Sequence, residues 1–161
     1  MKRTKARKAL DLIDRKILAL LQDNAKISNV DLAEQVHLSP TPCLERVKRL
    51  ESDGYIRQYA AHLNPQLLDA GMLVYLEVSL QNTTSEILNE FNAAVQQLPQ
   101  ILECHMVAGG FDYLMKIRVR DIHEFRDMLG DMLSRLPYVR ETHTYVVMEE
   151  VKETTQIPLR P

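Results

Sequence analysis

The sequence predicts an α+β protein with two domains, a helix-turn-helix domain followed by an αβ-sandwich domain of the ferredoxin-like βαββαβ topology. Apolar residues in the first third recur every three or four positions, as on helices that bury one face. Further along, segments of alternating apolar residues are interleaved with helical segments. The charge changes too: residues 1–57 contain 12 Lys and Arg against 8 Asp and Glu, whereas residues 58–161 contain 8 against 14. This asymmetry indicates two domains with different partners.

These patterns divide the chain into four segments. Residues 1–9 form a basic N-terminal arm, residues 10–55 the helix-turn-helix domain, residues 56–71 a linker, and residues 72–161 the αβ-sandwich domain. The linker is placed where a helical period gives way to an extended one, which predicts a strand that leaves the first domain. Its proline-containing continuation ends that strand.

Two short helices are predicted at the start of the first domain. Leu10, Ile13 and Ile17 lie on one face of the first helix, which is expected to end near Asn24. The sequence Ser28-Asn29-Val30-Asp31 has the pattern of a capping box, which begins the second helix. The tight connection from that helix to the next predicts a helix-turn-helix unit.

The third helix is the candidate recognition helix. Ser39 caps it, Pro40 and Pro42 lie in its first turn, and Gly54 ends it at a positive φ. A helix of about 12 residues fits the major groove of B-DNA, and its first turn usually meets the base edges. The candidate DNA-binding residues are Ser39, Thr41, Pro42, Cys43, Arg46, Lys48 and Arg49.

Arg46 has two possible roles at this surface. Its guanidinium can donate two hydrogen bonds to a guanine edge, or it can hold a phosphate. The alternative is that Glu45 and Arg49 form a surface pair four residues apart and the basic residues are simply solvated. The charges alone leave both interpretations open.

The N-terminal arm carries five cations and no acid within seven residues: Lys2, Arg3, Lys5, Arg7 and Lys8. Such an arm can follow the backbone or the minor groove of double-stranded DNA. The alternative is a terminus that only improves solubility.

The second domain is predicted from four strands and two helices. The strands are expected at residues 72–80, 101–108, 111–119 and 139–148, and the helices at about 85–98 and 122–136. Their order places two helices against one face of an antiparallel sheet. The other face needs a cover, and pairing with a second copy of the chain is the economical solution at this size.

Several classes of protein are excluded by composition. Hydrophobic residues make up 45% and charged residues 26%, which is close to the globular average. No apolar run approaches the roughly 18 residues that span a bilayer, and the N-terminus does not resemble a signal peptide. Cys43 and Cys104 are too few for a disulfide framework or a zinc site. We therefore expect a cytoplasmic protein with no membrane partner.

Catalytic, cofactor and metal sites are not expected either. No two of the five histidines lie three to five residues apart, as a helical metal pair requires. Cys104 and His105 are neighbours on a strand and point to opposite faces, so a packed cysteine is the better interpretation. Gly109-Gly110 belongs to neither of the common phosphate-binding motifs. We predict a protein that is not an enzyme.

Four blocks of sequence resemble the Lrp/AsnC family of transcription regulators. They are residues 10–18 (LDLIDRKIL), 38–47 (LSPTPCLERV), 103–113 (ECHMVAGGFDY) and 144–151 (TYVVMEEV). The resemblance implies a winged-helix-like DNA-binding domain, and a second domain that binds an amino acid and pairs through its sheet. It further implies a homodimer that assembles to an octamer and binds double-stranded DNA, in association with the nucleoid.

The resemblance also implies an effector site near the Gly109 turn. Glycine lets backbone N–H groups approach an α-carboxylate, and Asp112 can receive an α-ammonium group. The effector-binding residues so implied are Met106, Gly109, Gly110, Asp112, Ile122, Thr144, Tyr145 and Val146. The alternative is an ordinary hairpin turn capped by Asp112.

The expected effector is a small amino acid, leucine first. Residues 39–47 and 144–151 are similar to members that respond to leucine. Residues 136–141 and 152–159 are similar to members that activate alanine catabolism, which makes alanine the alternative. Gly110 stands where leucine-responding members commonly have an acidic residue, so the sequence leaves the effector open. A further alternative is an architectural protein that wraps DNA and senses no metabolite.

Overall fold

The structure is a computed structural model that describes residues 9–159. These residues form two compact units. The helical unit contains the residues up to His62 together with the segment from Glu153, and the sheet unit is Leu63–Lys152. The predicted fold class, helix-turn-helix domain followed by αβ domain, is confirmed.

The helical unit contains α1 (Leu12–Asp23), α2 (Asn29–Gln35) and α3 (Pro40–Ser52). A full capping box opens α1, where Asp11 accepts from the Asp14 N–H at 2.8 Å and Asp14 accepts from the Asp11 N–H at 3.2 Å. At the predicted box of α2, Ser28 accepts from the Asp31 N–H, but the Asp31 carboxylate accepts from the Ser28 hydroxyl instead of its N–H.

A hydrogen bond and a left-handed residue fix the turn between α2 and α3. The side-chain amide of Asn29 donates to the carbonyl of Pro40 at 2.8 Å, which links the N-termini of the two helices. His37 adopts the left-handed conformation with φ 56°, so the chain reverses within a few residues. At the other end of α3, Gly54 has φ 76°, as the sequence predicted.

The core of the helical unit is formed by buried residues of all three helices. Its buried members are Ile17, Leu18, Leu32, Ala33, Val36, Cys43 and Leu50. Packed against them at the margin are residues outside the helices, including Tyr55, Ile56 and Leu159. The helical unit therefore uses residues from both ends of the chain.

The last segment of the chain is tied to α1 by hydrogen bonds. The side chain of Gln22 accepts from the Ile157 N–H at 2.7 Å and donates to the Ile157 carbonyl at 3.2 Å. Gln156 donates to the Asp23 carboxylate at 2.9 Å. The predicted boundary, with residues 72–161 in one domain, is therefore wrong for the segment from Glu153, because this segment packs with the helices.

The two units divide between His62 and Leu63, inside the segment predicted as a linker, but the strand predicted there is absent. Residues 57–64 adopt no strand, and a single 3-10 turn follows at Pro65–Leu68. An extended segment becomes a strand only when a neighbouring segment satisfies its backbone hydrogen bonds. Within the described chain, no segment pairs with residues 57–64.

The sheet unit contains β1 (Met72–Leu80), α4 (Ser85–Val95), β2 (Ile101–Met106), β3 (Tyr113–Val119), α5 (Ile122–Ser134) and β4 (Val139–Val146). All three strand pairs are antiparallel, in the order β2-β3-β1-β4. β2 ends two residues before its predicted limit and β3 begins two residues after its predicted start, because residues 107–112 form a turn. β4 ends two residues early, because the chain leaves the sheet after Val146.

One face of the sheet packs against the two helices. Its buried residues alternate along β1 and β3: Val74, Leu76, Val78, Leu80, Tyr113, Met115, Ile117 and Val119. Phe91 and Phe125 cover them from α4 and α5. The opposite face carries the intervening side chains, among them Tyr75, Glu77, Leu114, Lys116 and Tyr145.

Candidate DNA-binding and effector sites

The N-terminal end of α3 presents a small accessible surface. Ser39 and Thr41 are exposed, and Pro42 is partly exposed. Ser39 has the backbone conformation of an N-cap, but its hydroxyl makes no capping hydrogen bond. A hydroxyl that the helix itself does not use is available to a phosphate oxygen. Lys48, further along α3, is exposed as well.

Cys43 does not belong to this surface. It is fully buried in the core of the helical unit, and burial raises the pKa of its thiol. The prediction that its side chain lies at a DNA interface is therefore wrong. The helical period explains the error, because Cys43 lies seven residues before the buried Leu50, about two helical turns away, and so on the same side of α3 as Leu50, which faces the core.

A cluster of charges joins α3 to α1. Arg46 Nη1 donates to Asp11 at 2.6 Å and to Asp14 at 2.7 Å, and Arg49 Nη2 contacts the other oxygen of Asp14 at 2.5 Å. Asp14 is completely buried, whereas each arginine is 26% exposed. A buried carboxylate needs paired, hydrogen-bonded partners, so the two arginines satisfy Asp14.

The cluster also changes the chemistry of its members. The hydrogen bond from Arg46 holds the pKa of Asp11 below its usual value, and the same contacts raise the pKa of Arg46. Both carboxylates thus favour the charged form that arginine already has in proteins. Because Nη1 serves both carboxylates, a guanine contact through both terminal nitrogens would require Arg46 to leave them, whereas a contact through Nη2 alone would not.

The five cations of the N-terminal arm, at positions 2 to 8, lie outside the described residues. Their proposed contact with DNA remains a prediction.

Of the seven candidates on and before α3, the structure brings Ser39, Thr41 and Pro42 together at one helix end, and places Arg46 and Arg49 at the contact with α1.

The turn between β2 and β3 is held by three hydrogen bonds. The Val107 N–H donates to the Asp112 carbonyl, and the Asp112 N–H donates to the Val78 carbonyl, both at 3.0 Å. The Asp112 carboxylate accepts from the Leu80 N–H at 2.7 Å. Asp112 thus fastens the turn to β1 and places its carboxylate at the end of the sheet.

The glycines of this turn are not required by its conformation. Neither Gly109 nor Gly110 has a positive φ, and a Cβ atom added at either position would meet nothing within 4 Å. In the isolated chain a larger residue would fit there. A primed hairpin turn, the alternative interpretation, would need a positive φ, so it does not explain these glycines.

Two cavities include Asp112 in their lining. The first, of about 320 Å³, is mostly polar. It is lined by Ser79, Leu80, Gln81, Asn82, Thr83, Gly109, Gly110, Phe111, Asp112 and Arg140. The second, of about 480 Å³, is more apolar and is lined by Thr83, Leu88, Met106, Val107, Ala108 and Asp112. Both cavities share Thr83 and Asp112.

Half of the predicted effector-binding residues line these cavities. Gly109, Gly110 and Asp112 line the first, and Met106 lines the second with Asp112. The other four do not line either cavity: Ile122, Thr144, Tyr145 and Val146. They are exposed on α5 and β4, and Tyr145 lies opposite Tyr75 on the open face of the sheet.

Sequence reasoning missed the remaining lining residues, above all Arg140 and Leu88. Arg140 is the extra residue of a β-bulge, because Ser79 pairs with Glu141 and Leu80 pairs with Val139. A bulge redirects a side chain and depends on the partner strand, so nothing in the strand's own sequence announces it. Leu88 had a detectable signal, since it lies on the apolar face of α4.

Three further properties of the described residues concern thiol reactivity, metal binding and membrane spanning. Burial raises the pKa of the Cys104 thiol to about 11, which leaves little thiolate at neutral pH. Residues 9–159 contain no group of three or more His, Cys, Asp and Glu side chains that could hold a metal ion. Over the same span, every helix is too short or too polar to cross a membrane.

Two family models together cover most of the chain. A winged helix-turn-helix DNA-binding model matches residues 10–57, and an Lrp/AsnC ligand-binding domain model matches residues 73–157. The leucine-responsive regulatory protein of Haemophilus influenzae is 58% identical over 97% of this chain and 94% of its own length. That of Escherichia coli K12 is 53% identical over 95% and 93%.

Solved structures agree with the sequence comparisons. A transcriptional regulator of Neisseria meningitidis in complex with L-Met has a TM-score of 0.88 at 37% identity, covering 93% of this chain and 97% of its own. An AsnC-family transcriptional regulator of Agrobacterium tumefaciens also has a TM-score of 0.88, at 32% identity over 92% of this chain and 97% of its own.

Proposed function

Since this chain belongs to the Lrp/AsnC family of DNA-binding transcription regulators, we propose that leucine is the amino acid to which it responds. The observation that carries the proposal is the pair of cavities that meet at Asp112, one polar and one more apolar. An amino acid with an aliphatic side chain likewise has a polar part, its charged α-groups, and an apolar part, its side chain. The two relatives given above, from Haemophilus influenzae and Escherichia coli, are named for a response to leucine.

The apolar cavity favours leucine over alanine. Leu88 and Met106 offer flexible apolar side chains, and the cavity of about 480 Å³ has room for a branched chain of four carbons. Each buried methylene group contributes about 0.8 kcal/mol, so the single methyl of alanine would gain much less from it. Alanine, suggested by residues 136–141 and 152–159, is the second candidate.

DNA is proposed to bind at the N-terminal end of α3, with the basic arm on the phosphate backbone. Ser39 and Thr41 have exposed hydroxyls there, and the first turn of a recognition helix is the part that meets base edges. Paired copies would then favour imperfect palindromes whose half-sites lie about one helical turn apart. The comparisons identify relatives as regulators with such a DNA-binding unit, which supports a non-enzymatic role.

Self-assembly is proposed to use the open face of the sheet. This face combines Tyr75 and Tyr145, paired across β1 and β4, with the half-buried Leu114. Aromatic and aliphatic side chains of this kind are typical of the centre of an interface between copies. We propose a homodimer that assembles to an octamer in the cytoplasm, associated with the nucleoid.

Regulation then requires that leucine binds two states of the protein with different affinity. A ligand with equal affinity for both states cannot shift the equilibrium between them, however tightly it binds. The two states proposed are assemblies that differ in DNA occupancy. The coupling is reciprocal. The factor by which leucine changes the affinity for a duplex must equal the factor by which that duplex changes the affinity for leucine.

The test is a thermal unfolding series of the purified full-length protein with each common amino acid in turn. At ten times its dissociation constant, a ligand that binds only the folded state adds about 1.4 kcal/mol, which shifts the melting temperature by several degrees. We expect the largest shift with leucine and smaller shifts with its aliphatic neighbours.

Other outcomes of that series decide between the alternatives. A series led by alanine would assign the protein to alanine catabolism. The absence of a shift with every amino acid, in a protein that still binds DNA, would favour an architectural role without an effector.

A further inference from the structure

Arg140 has no partner in the described structure, although it carries a full charge. Its sheet unit contains five arginines, and the other four all pair with a carboxylate: Arg118 with Glu150, Arg120 with Asp121, Arg126 with Asp127 and Arg135 with Asp131. For Arg140 the described residues provide neither an ion pair nor a hydrogen bond. It lies instead on the wall of the polar cavity.

The position of Arg140 is a consequence of the β-bulge at the start of β4. In a regular strand pair, residue 140 would pair with Ser79 or Leu80. Its side chain would then alternate with those of its neighbours between the two faces of the sheet. Bulges recur next to functional sites because they redirect a side chain. Here Arg140, the extra residue of the bulge, lines the same cavity as Gly109 and Gly110.

The same cavity contains one carboxylate, that of Asp112. The two charged groups do not form an ion pair, so no nitrogen of Arg140 lies within 4.0 Å of an Asp112 oxygen. Opposite charges that line one cavity without touching suit an amino-acid zwitterion, whose ammonium and carboxylate groups are both attached to the α-carbon. Asp112 also lines the apolar cavity.

We infer that Arg140 binds the α-carboxylate of the amino-acid effector, while Asp112 receives the α-ammonium group and the side chain enters the cavity lined by Leu88 and Met106. This inference rests on the proposed function and adds a specific role to it. A guanidinium group matches a carboxylate with two parallel hydrogen bonds, and the backbone N–H groups of the glycine turn add further donors. Selection for a free α-carboxylate would exclude amines and peptide-bond amides.

The test is isothermal titration of the full-length protein with L-leucine and with leucinamide, whose acyl end carries no charge. We expect Arg140→Gln to weaken leucine binding about tenfold or more, since a hydrogen bond between charged groups contributes a factor of that order. Arg140→Lys keeps the charge and should recover part of the loss. Leucinamide should bind the parent weakly, and Arg140→Gln should not weaken it further.

The matched control is Arg126→Gln, which removes the same charge from an exposed position on α5, where Arg126 pairs only with its neighbour Asp127. It should bind leucine like the parent. Parent-like leucine affinity in Arg140→Gln, or equal losses for leucine and leucinamide, would overturn the role of Arg140 and leave the proposed function standing. A parent protein that binds no amino acid would overturn both.

Discussion

Asp14 shows how one buried charge limits what nearby residues can do for DNA. Its carboxylate is fully buried and holds Arg46 and Arg49 at the contact between α1 and α3. Removal of one partner of a buried pair is costly, because the remaining charge stays desolvated. Weaker DNA binding by an Arg46 variant is therefore not by itself evidence for a base contact. The measurement needs a stability control on the same variant.

Asp11 gives a pH-dependent prediction at this cluster. Arg46 lowers the pKa of Asp11 in the folded state, so the pair stabilises the protein above the unfolded pKa of about 4 and this contribution is lost as the pH falls. Asp11→Asn retains the N-cap but removes the charge. At 44% side-chain exposure, the loss at pH 7 should be only a few tenths of a kcal/mol.

Urea unfolding of the parent and Asp11→Asn between pH 7 and pH 3 measures this contribution. The difference in unfolding free energy should shrink towards zero below about pH 4, because the parent carboxylate becomes protonated. A difference that stays constant over this range would show that the charge of Asp11 contributes nothing.

At the scale of helices and strands, sequence patterns located almost every element because each buries one periodic face. α4 and α5 begin at the residues where the sequence places their starts, and β1 has its predicted ends. The errors occur where a partner decides the structure. Residues 57–64 remain without a strand, and the bulge at Arg140 depends on the register between β4 and β1. Four of the eight residues predicted to bind the effector line a cavity, and the role of the other four stays a prediction.

The caps of α2 and α3 differ in a way that separates stability from DNA binding. Ser28 accepts from the Asp31 N–H at 3.1 Å, whereas the Ser39 hydroxyl makes no capping hydrogen bond. Ser28→Ala should therefore cost about 1 kcal/mol of unfolding free energy, and Ser39→Ala much less. DNA affinity should change in the opposite order, since Ser39 lies at the proposed interface.

Thermal unfolding and duplex titration of the two variants test this pair of effects. Each variant serves as the control for the other, because both replace a serine by alanine at a helix N-terminus. A Ser39→Ala variant that binds duplex DNA like the parent would remove Ser39 from the interface.

At the scale of the whole molecule, the charge difference between the two parts of the chain has a measurable effect. The five cations of residues 2–8 would each release counterions from bound DNA. Deletion of these residues should reduce the slope of log affinity against log salt by up to about 4.5, and weaken specific and random duplexes alike.

Fluorescence anisotropy at several salt concentrations, with an operator-like and a random duplex, measures both quantities. A slope that does not change on deletion would show that the arm does not contact DNA. A loss confined to the operator-like duplex would instead assign base contacts to the arm.

The hydrogen bonds between Gln22 and Ile157 have a consequence for genetics. Because the segment from Glu153 packs with α1, the unit that contains α3, the proposed recognition helix, is encoded by two distant stretches of the gene. A stop codon at position 153 would leave all four strands complete, yet remove Leu159 from the helical core. Such a nonsense allele would be grouped by phenotype with missense alleles of the first sixty codons, although its lesion maps to the opposite end.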